Sequence, residues 1–455
     1  MIALTVEDLL NAIGGRLIVP DNAERDAVLR SPVSGAAFDS RETEPGFAFF
    51  ALKGERSDGH DYITNIADKI TCAVTEREVD CPVPQIIVPS TYSAVGALGA
   101  YIREKSGVKV VGITGSVGKT SVKELSACVL GRKFNVLKTE GNYNNELGLP
   151  RMLFRLTPEN DIAVLEMGIS HFGEMTRLSS IAKPDTAIYT NIETVHTENL
   201  IDRAGVLAAK TELVANMNGD TLILNGDDDM LRGYRLPEGK RAVYYGTDDG
   251  CSVTAKDIVL RGLEYSAFEL LTPNGSVHVE LPALGRHMVI NALAAAACGL
   301  EYGVSLEDIK LGLESFVPVG RRMRRLTYNG ATVLDDCYNA SPVSMEASLR
   351  VLCGLGGRRI ALLGDMLELG PSSHELHSHI GKIASELGLD MLITIGKEAD
   401  CIAEAAAQCG VKTVLRTNNE DAADLLKSIL RKGDTLLIKA SHGMHFDRIV
   451  EGLNL

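Results

Sequence analysis

The stretch Val110-Val-Gly-Ile-Thr-Gly115-Ser-Val-Gly118-Lys119-Thr120-Ser decides the reading of this chain. An apolar run of strand character turns through two glycines into a helix that begins at the lysine. Backbone N–H groups at such a turn point inward and can cradle phosphates; Lys119 can reach the terminal phosphates and Thr120 can ligate Mg²⁺. The common GxxxxGK[ST] form would have glycine at 113, where Ile113 stands, so the motif is the variant Thr-Gly-x-x-Gly-Lys-Thr.

Outward from this loop the pattern repeats. KVVGIT, DIAVLEMG, DTAIYTNI, TLILNGDD and AVYYG are apolar runs, most of them followed by helical stretches. That alternation predicts a doubly wound, mostly parallel sheet. Residues 251–284 interrupt it with two β-like runs around Pro273-Asn-Gly275, which predict an appended hairpin, and helices over 288–301 and 305–315 close the unit. Upstream, short apolar runs separated by turn signals read as a small α/β domain that ends at Arg103-Glu-Lys-Ser-Gly107. Past Val317-Pro-Val-Gly320, the strands RRIALLGD, MLITIG, KTVLRT and TLLIKAS alternate with amphipathic helices, a Rossmann-like pattern. The expected fold is therefore α/β with three domains, 1–107, 108–318 and 319–455.

Composition removes several classes of function. The chain of 455 residues is too long for one ordinary core. Its 46 Lys+Arg against 60 Asp+Glu leave a net charge of −14, which argues against broad binding to nucleic acid or to an anionic membrane. The longest nearly apolar stretch, Met288 to Leu300, is too short for a bilayer, and the N-terminus lacks the basic region of a signal peptide. Nine cysteines without a CxxC pair suit reduced thiols. The expectation is a cytoplasmic monomer without stable membrane insertion. The run Arg321-Arg-Met-Arg-Arg325 reads as a domain junction, not a nucleic-acid patch. The cluster His374-Glu-Leu-His377-Ser-His379 matches no zinc spacing.

Read together, GITGSVGKTSVKE, Gly141-Asn142-Tyr-Asn144-Asn145-Glu-Leu-Gly148, Glu166-Met-Gly168, Asn191 to His196 and Ala209-Lys210-Thr-Glu212 resemble the Mur ligases, the ATP-dependent amide-forming enzymes of peptidoglycan precursor synthesis. The likeness runs nearly end to end. Phe38-Asp-Ser40-Arg41 is similar to the family's segment for the uridine nucleotide. Asp336-Cys-Tyr338-Asn339-Ala-Ser-Pro342 and Leu363-Gly-Asp365-Met-Leu-Glu368-Leu-Gly370 resemble the branch that adds a dipeptide.

By resemblance, Thr114, Gly115, Ser116, Val117, Gly118, Lys119 and Thr120 would hold ATP, with Asn291 at the adenine edge and Asp336 and Asn339 facing the nucleotide from the third domain. A nucleotide-contacting arginine falls at Arg321 or Arg322. Ser40 and Arg41 would read the uridine nucleotide, and Asn142, Asn144 and Asn145 would lie near the muramoyl substrate. Thr120, Glu166, His196 and Lys210 would serve Mg²⁺, with Lys119, His196 and Lys210 taking part in catalysis. From the residues alone, Glu166 is a carboxylate at the carboxyl edge of a parallel sheet, where ligands bind. Lys210 alone reads as an ordinary lysine paired with Glu212 or lying along the surface. The resemblance implies instead an N-carboxylated lysine.

The implied reaction joins D-alanyl-D-alanine to the carboxylate of UDP-N-acetylmuramoyl-tripeptide through an acyl phosphate, with ATP and Mg²⁺. A sister ligase adding one amino acid and a folylpolyglutamate synthase are the nearest enzymatic alternatives, opposed by the GDMLELG and DDCYNASP segments. A GTPase switch would carry Asn-Lys-x-Asp, where this chain reads Asn191-Ile-Glu-Thr194. A catalytically silent module fits poorly with Lys119, Thr120, Glu166 and Lys210 all present. Lys119→Ala should abolish turnover with the fold intact, and unchanged ADP formation by that variant would remove the phosphate-loop assignment.

Overall fold

The strand Lys109–Thr114 is the centre around which the protein is built. Val110, Val111 and Ile113 are fully buried because helices cover both faces of the sheet. The computed structural model describes residues 2–21, 23–194 and 197–455, the side chain of Thr197 excepted. In the middle sheet the order is Arg241–Tyr245, Thr221–Asn225, Thr186–Tyr189, Lys109–Thr114, Ile162–Glu166 and Val136–Lys138, with every pairing parallel. The chain steps out to one edge and then crosses to the other side of Lys109–Thr114. The crevice at that strand's carboxyl end is thus the topological switch point where ligands bind in such sheets.

Two other sheets flank this one. Upstream, Arg16–Ile18, Gln85–Ile87, Ile70–Thr75, Phe47–Phe50 and Gly35–Ala37 form a five-stranded sheet, parallel except for its first edge pair. Downstream, Arg324–Tyr328, Ala331–Asp335, Thr435–Lys439, Arg359–Gly364, Met391–Ile395 and Val414–Arg416 form a six-stranded sheet with only the first pair antiparallel. Among the described residues no helix is long and apolar enough to cross a membrane. The nine cysteines are free thiols.

Two elements differ from the sequence expectation. Residues 251–284 hold three antiparallel strands, Thr254–Arg261, Tyr265–Thr272 and Gly275–Leu281, in a sheet of their own. The first of them escaped notice because it carries exposed Lys256, Asp257 and Arg261 and breaks register between Lys256 and Val259, which erases period-two patterning. The edge strand Val136–Lys138 is three residues long and half-buried, too little for periodicity to register. The two expected helices appear as Arg286–Glu301 and Leu306–Glu314.

The polar stretch 103–107 ends a helix, Thr91–Ser106, that Gly107 caps in the left-handed conformation. Arg103 in its last turn is buried. Its guanidinium donates to Ala182 O (2.9 Å), Lys183 O (3.2 Å) and Asp185 Oδ2 (2.8 Å), fastening the helix to the middle sheet. Asp185 also accepts from Val110 N at 2.9 Å, so this anchor reaches the central strand. Removing one partner of a buried ion pair leaves the other unpaired. Arg103→Ala is therefore expected to cost about 3–5 kcal/mol, against less than about 1 kcal/mol for the exposed Lys109→Ala. Denaturant unfolding of the two variants checks the difference.

Candidate active site

Only glycine fits the turn between Lys109–Thr114 and the helix Lys119–Leu130. Gly115 has φ 143°, and a Cβ there would stand 1.9 Å from Thr190 Oγ1. Gly118, at φ 85°, lies so close to Asn291 that a Cβ would come within 2.9 Å of Oδ1. The backbone between them is clamped from the neighbouring strand end. Ser116 N donates to Asn191 O (3.0 Å) and Val117 N to Asn191 Oδ1 (2.9 Å). Thr190 Oγ1 and Asn191 Nδ2 donate to Val117 O at 2.5 and 3.2 Å, and Glu193 N donates to Ser116 Oγ at 2.9 Å. Lys119 Nζ donates to Gly115 O (2.8 Å) and Ser116 O (3.2 Å). Burial pushes its ammonium below the usual range, Glu166 opposes that shift and Arg322 adds to it.

Beside the loop, buried Glu166 ends the strand Ile162–Glu166. Thr120 Oγ1 donates to its Oε2 at 2.9 Å and Asn144 Nδ2 to its Oε1 at 3.0 Å. Gly168 leaves room for this approach, since a Cβ there would sit 3.0 Å from Asn144 Nδ2. A glycine cradle of donors, the buried Thr114 Oγ1 without a hydrogen-bond partner among the described residues, and the hard oxygens of Thr120 and Glu166 are what a magnesium-bound triphosphate requires. The donor set fits both groups.

The downstream domain supplies the opposite wall. Arg322 Nη2 donates to Thr120 Oγ1 at 3.0 Å while its guanidinium lies 4.1 Å over the Tyr338 ring. Arg321 is engaged elsewhere, by Asp335 (3.2 Å) and Glu451 (2.9 Å). Asp336 Oδ2 accepts from Lys439 Nζ and Ser348 Oγ, both at 2.6 Å, and Lys439 also donates to Asn339 O at 3.0 Å. Arg322, Asp336, Tyr338, Asn339 and Lys439, together with Ser116 to Thr120 of the phosphate loop and Asn291, line one cleft of about 1200 Å³. His287 also lines it, and burial pushes its imidazole down to about 4.

The remaining expected residues lie at varied distances from this cleft. Asn144 and Asn145 line it, Asn145 Oδ1 accepting from Gly148 N at 2.8 Å, whereas Asn142 is exposed and outside it. Ser40 and Arg41 sit in the 3₁₀ turn Ser40–Glu42 of the first domain, also outside it, with Arg41 forked onto Asp39 at 2.9 and 2.6 Å. His196 falls outside the described residues. Lys210 is fully buried in the last turn of Arg203–Thr211 and is not part of the cleft wall. Burial, and then Lys119, push its ammonium well below the ordinary lysine range. Glu212 does not pair with it: that carboxylate accepts from Gly173 N (2.9 Å), Thr176 N (3.1 Å) and Thr176 Oγ1 (2.8 Å).

Sequence reasoning passed over Thr190, Asn191 and Lys439 as site residues. Lys439 had a signal, being a cation at the carboxyl end of a parallel strand. Thr190 and Asn191 follow the strand Thr186–Tyr189 in the same way.

Comparison with known proteins agrees with this geometry. Residues 32–112 match the Mur ligase family catalytic domain, residues 113–299 the Mur ligase middle domain, and residues 321–442 the Mur ligase glutamate ligase domain. The UDP-N-acetylmuramoyl-tripeptide–D-alanyl-D-alanine ligase of Escherichia coli is 36% identical over all of this chain and 99% of its own length. A crystal structure of MurF from Acinetobacter baumannii superposes with a TM-score of 0.89 at 34% identity, covering 99% of this chain and 98% of that one. MurF from Thermotoga maritima in complex with ADP gives a TM-score of 0.82 at 29% identity, covering 92% and 96%. On this agreement of three domain matches, full-length relatives and fold, the chain belongs to the Mur ligase family.

Proposed function

We propose that the chain is a cytoplasmic, ATP- and Mg²⁺-dependent ligase that joins D-alanyl-D-alanine to the free carboxylate of UDP-N-acetylmuramoyl-tripeptide, releasing ADP and phosphate. The observation that carries this reading is the single cleft walled by the phosphate loop on one side and by Asp336, Asn339 and Lys439 on the other. The activity named for the Escherichia coli relative supports it. In this reading residues 1–107 take the nucleotide sugar, 108–318 take ATP and 319–455 take the dipeptide.

A carboxylate does not condense with an amine at neutral pH because oxide is a very poor leaving group. Phosphorylation removes that obstacle. The tripeptide carboxylate attacks the γ-phosphorus to give an acyl phosphate, and the dipeptide amine then attacks the carbonyl and expels phosphate. Thr114 to Thr120 orient the triphosphate, and Lys119 swings from its loop carbonyls to the terminal phosphates. Thr120, Glu166, His196 and a carboxylated Lys210 would hold Mg²⁺, which neutralises phosphate charge when bound. Asn291 meets the adenine edge. Arg322, and not Arg321, reaches the phosphates, because only Arg322 faces Thr120. Asp336 and Asn339 contact the nucleotide from the far wall. Ser40 and Arg41 read the uridine nucleotide, and Asn142, Asn144 and Asn145 guide the sugar peptide. A free α-amino group of pKa about 8 is roughly a tenth unprotonated at pH 7, so no dedicated base is assigned.

Phosphate release with ATP, the nucleotide tripeptide and either D-alanyl-D-alanine or single amino acids tests the whole reading. Release with a single amino acid and none with the dipeptide overturns it. Arg41→Ala should raise the KM for the nucleotide peptide by about tenfold while leaving that for ATP within about twofold; equal effects would mark Arg41 as structural. Lys210 is buried, and that burial lowers its ammonium well below the ordinary lysine range, which favours addition of CO₂. Lys210→Arg, which keeps a cation but cannot form the carbamate, should lose most activity, and full activity would exclude the carbamate role.

A further inference from the structure

A lysine outside the cleft wall ties the helix of the phosphate loop to the backbone of Glu166. Lys123 stands three residues beyond Thr120 on the helix Lys119–Leu130, so the two side chains share a face. It is buried, and its Nζ donates to Thr139 O at 2.7 Å and pairs with Glu124 Oε1 at 2.7 Å. Glu124, whose other oxygen is taken by Lys138, balances the buried charge. Thr139, also buried, follows the edge strand Val136–Lys138, whose ladder ends where Lys138 faces Val164. Glu166 lies two residues further along its own strand. On one side it is still paired with Ile113 of the central strand. Towards the edge the neighbouring strand has ended, and Glu166 N donates to Thr139 Oγ1 at 2.9 Å instead.

We propose that Lys123 is a positioning residue for the metal site: by holding Thr139 it sets where the Glu166 carboxylate stands relative to the phosphate loop, and so sets the affinity for the divalent cation. The proposal rests on the ligase reading above, in which Thr120 and Glu166 hold Mg²⁺. The contacts close a ring. Thr120 Oγ1 donates to Glu166 Oε2, Glu166 N to Thr139 Oγ1, and Lys123 Nζ to Thr139 O, while one helical turn joins Lys123 back to Thr120. Thr139 also opens the loop that brings Asn144 to the second oxygen of Glu166. A small, hard cation that demands near-ideal geometry is sensitive to any drift of such a carboxylate. Lys123 is not part of the cleft wall, so its influence passes through Thr139, in the way that the outer partners of a metal ligand act. A lysine kept only to neutralise Glu124 would have no need of Thr139 O.

Two binding measurements on the full chain test this. Binding of Mn²⁺, a paramagnetic substitute for Mg²⁺, in the presence of saturating ADP is read from loss of the free-ion electron paramagnetic resonance signal, and ADP binding in EDTA is read by calorimetry. Lys123→Met should weaken Mn²⁺ about tenfold, as loss of an outer partner does, and leave metal-free ADP binding within about twofold. The sign is diagnostic, because removing a nearby cation by itself favours a bound divalent cation, so that weakening reports lost positioning. Thr139→Val cuts the same ring at its next link and should give the same weakening, and Thr139→Ser, which keeps the hydroxyl, should recover most of it. The double variant Lys123→Met/Thr139→Val should be about as weak as either single one, since both act along one route. If Lys123→Met does not fold, Thr139→Val against Thr139→Ser decides. Unchanged or tighter Mn²⁺ binding in folded Lys123→Met or Thr139→Val, an equal loss of metal-free ADP binding, or effects that multiply in the double variant overturn the proposal while the ligase reading stands. Failure of the unaltered protein to bind Mn²⁺ with ADP, or undiminished binding by Glu166→Gln, overturns the metal assignment itself.

Discussion

Glu166 is held at three points, and the rest of the site is arranged around that constraint. Its backbone N–H donates to Thr139 Oγ1 at 2.9 Å, one carboxylate oxygen accepts from Thr120 on the helix after the phosphate loop, and the other accepts from Asn144 on the loop that faces the first domain. A carboxylate removed from water must be satisfied by such donors or lose its charge. Satisfying both oxygens of buried Glu166 therefore requires the segments of Thr120 and Asn144 to be in register, and Thr120 in turn receives Arg322 of the downstream domain. Thr120, Asn144 and Thr139, from three parts of the sequence, meet at this one residue.

A second set of contacts links this centre to the first domain. Arg151 pairs with Glu42 at 2.7 Å and lies 4.3 Å over the Tyr143 ring, next to Asn144. Glu42 closes the same 3₁₀ turn that holds Ser40 and Arg41. The turn assigned to the nucleotide and the loop that touches Glu166 thus share one guanidinium, although Ser40 and Arg41 lie outside the main cleft. With Arg103 anchoring the preceding helix, the first two domains meet through buried and directional contacts.

How much of this was legible from the chain depended on whether the constraint was local. The phosphate loop was readable because Gly115 and Gly118 answer to steric limits that act within a few residues, and Glu166 because a carboxylate at a strand's carboxyl end is conspicuous. The choice between Arg321 and Arg322 was not, since the two are adjacent and only the folded partners, Asp335 for one and Thr120 with Tyr338 for the other, separate them. The pairing of Lys210 with Glu212, one of the two readings open from the residues alone, is absent for a geometric reason: residues two apart on a helix do not face each other, and Glu212 turns to Gly173 and Thr176 instead. The burial that makes Lys210 unusual is a tertiary property that its flanking alanines could not reveal.

The three-stranded sheet over residues 254–281 has a mechanical consequence. Leu263, in the turn between Thr254–Arg261 and Tyr265–Thr272, packs against the apolar core of the downstream domain, and the direct connection between the two bodies runs through Val317, which is 73% exposed. An apolar contact has no preferred direction, whereas the hydrogen bond from Arg322 to Thr120 is lost once its angle opens. A swivel of the downstream domain about Leu263 therefore keeps its greased side intact and breaks the polar latch from Arg322 to Thr120. The joint behaves as a ball in a socket with a catch, and the catch resists a small opening more sharply than the apolar contact does.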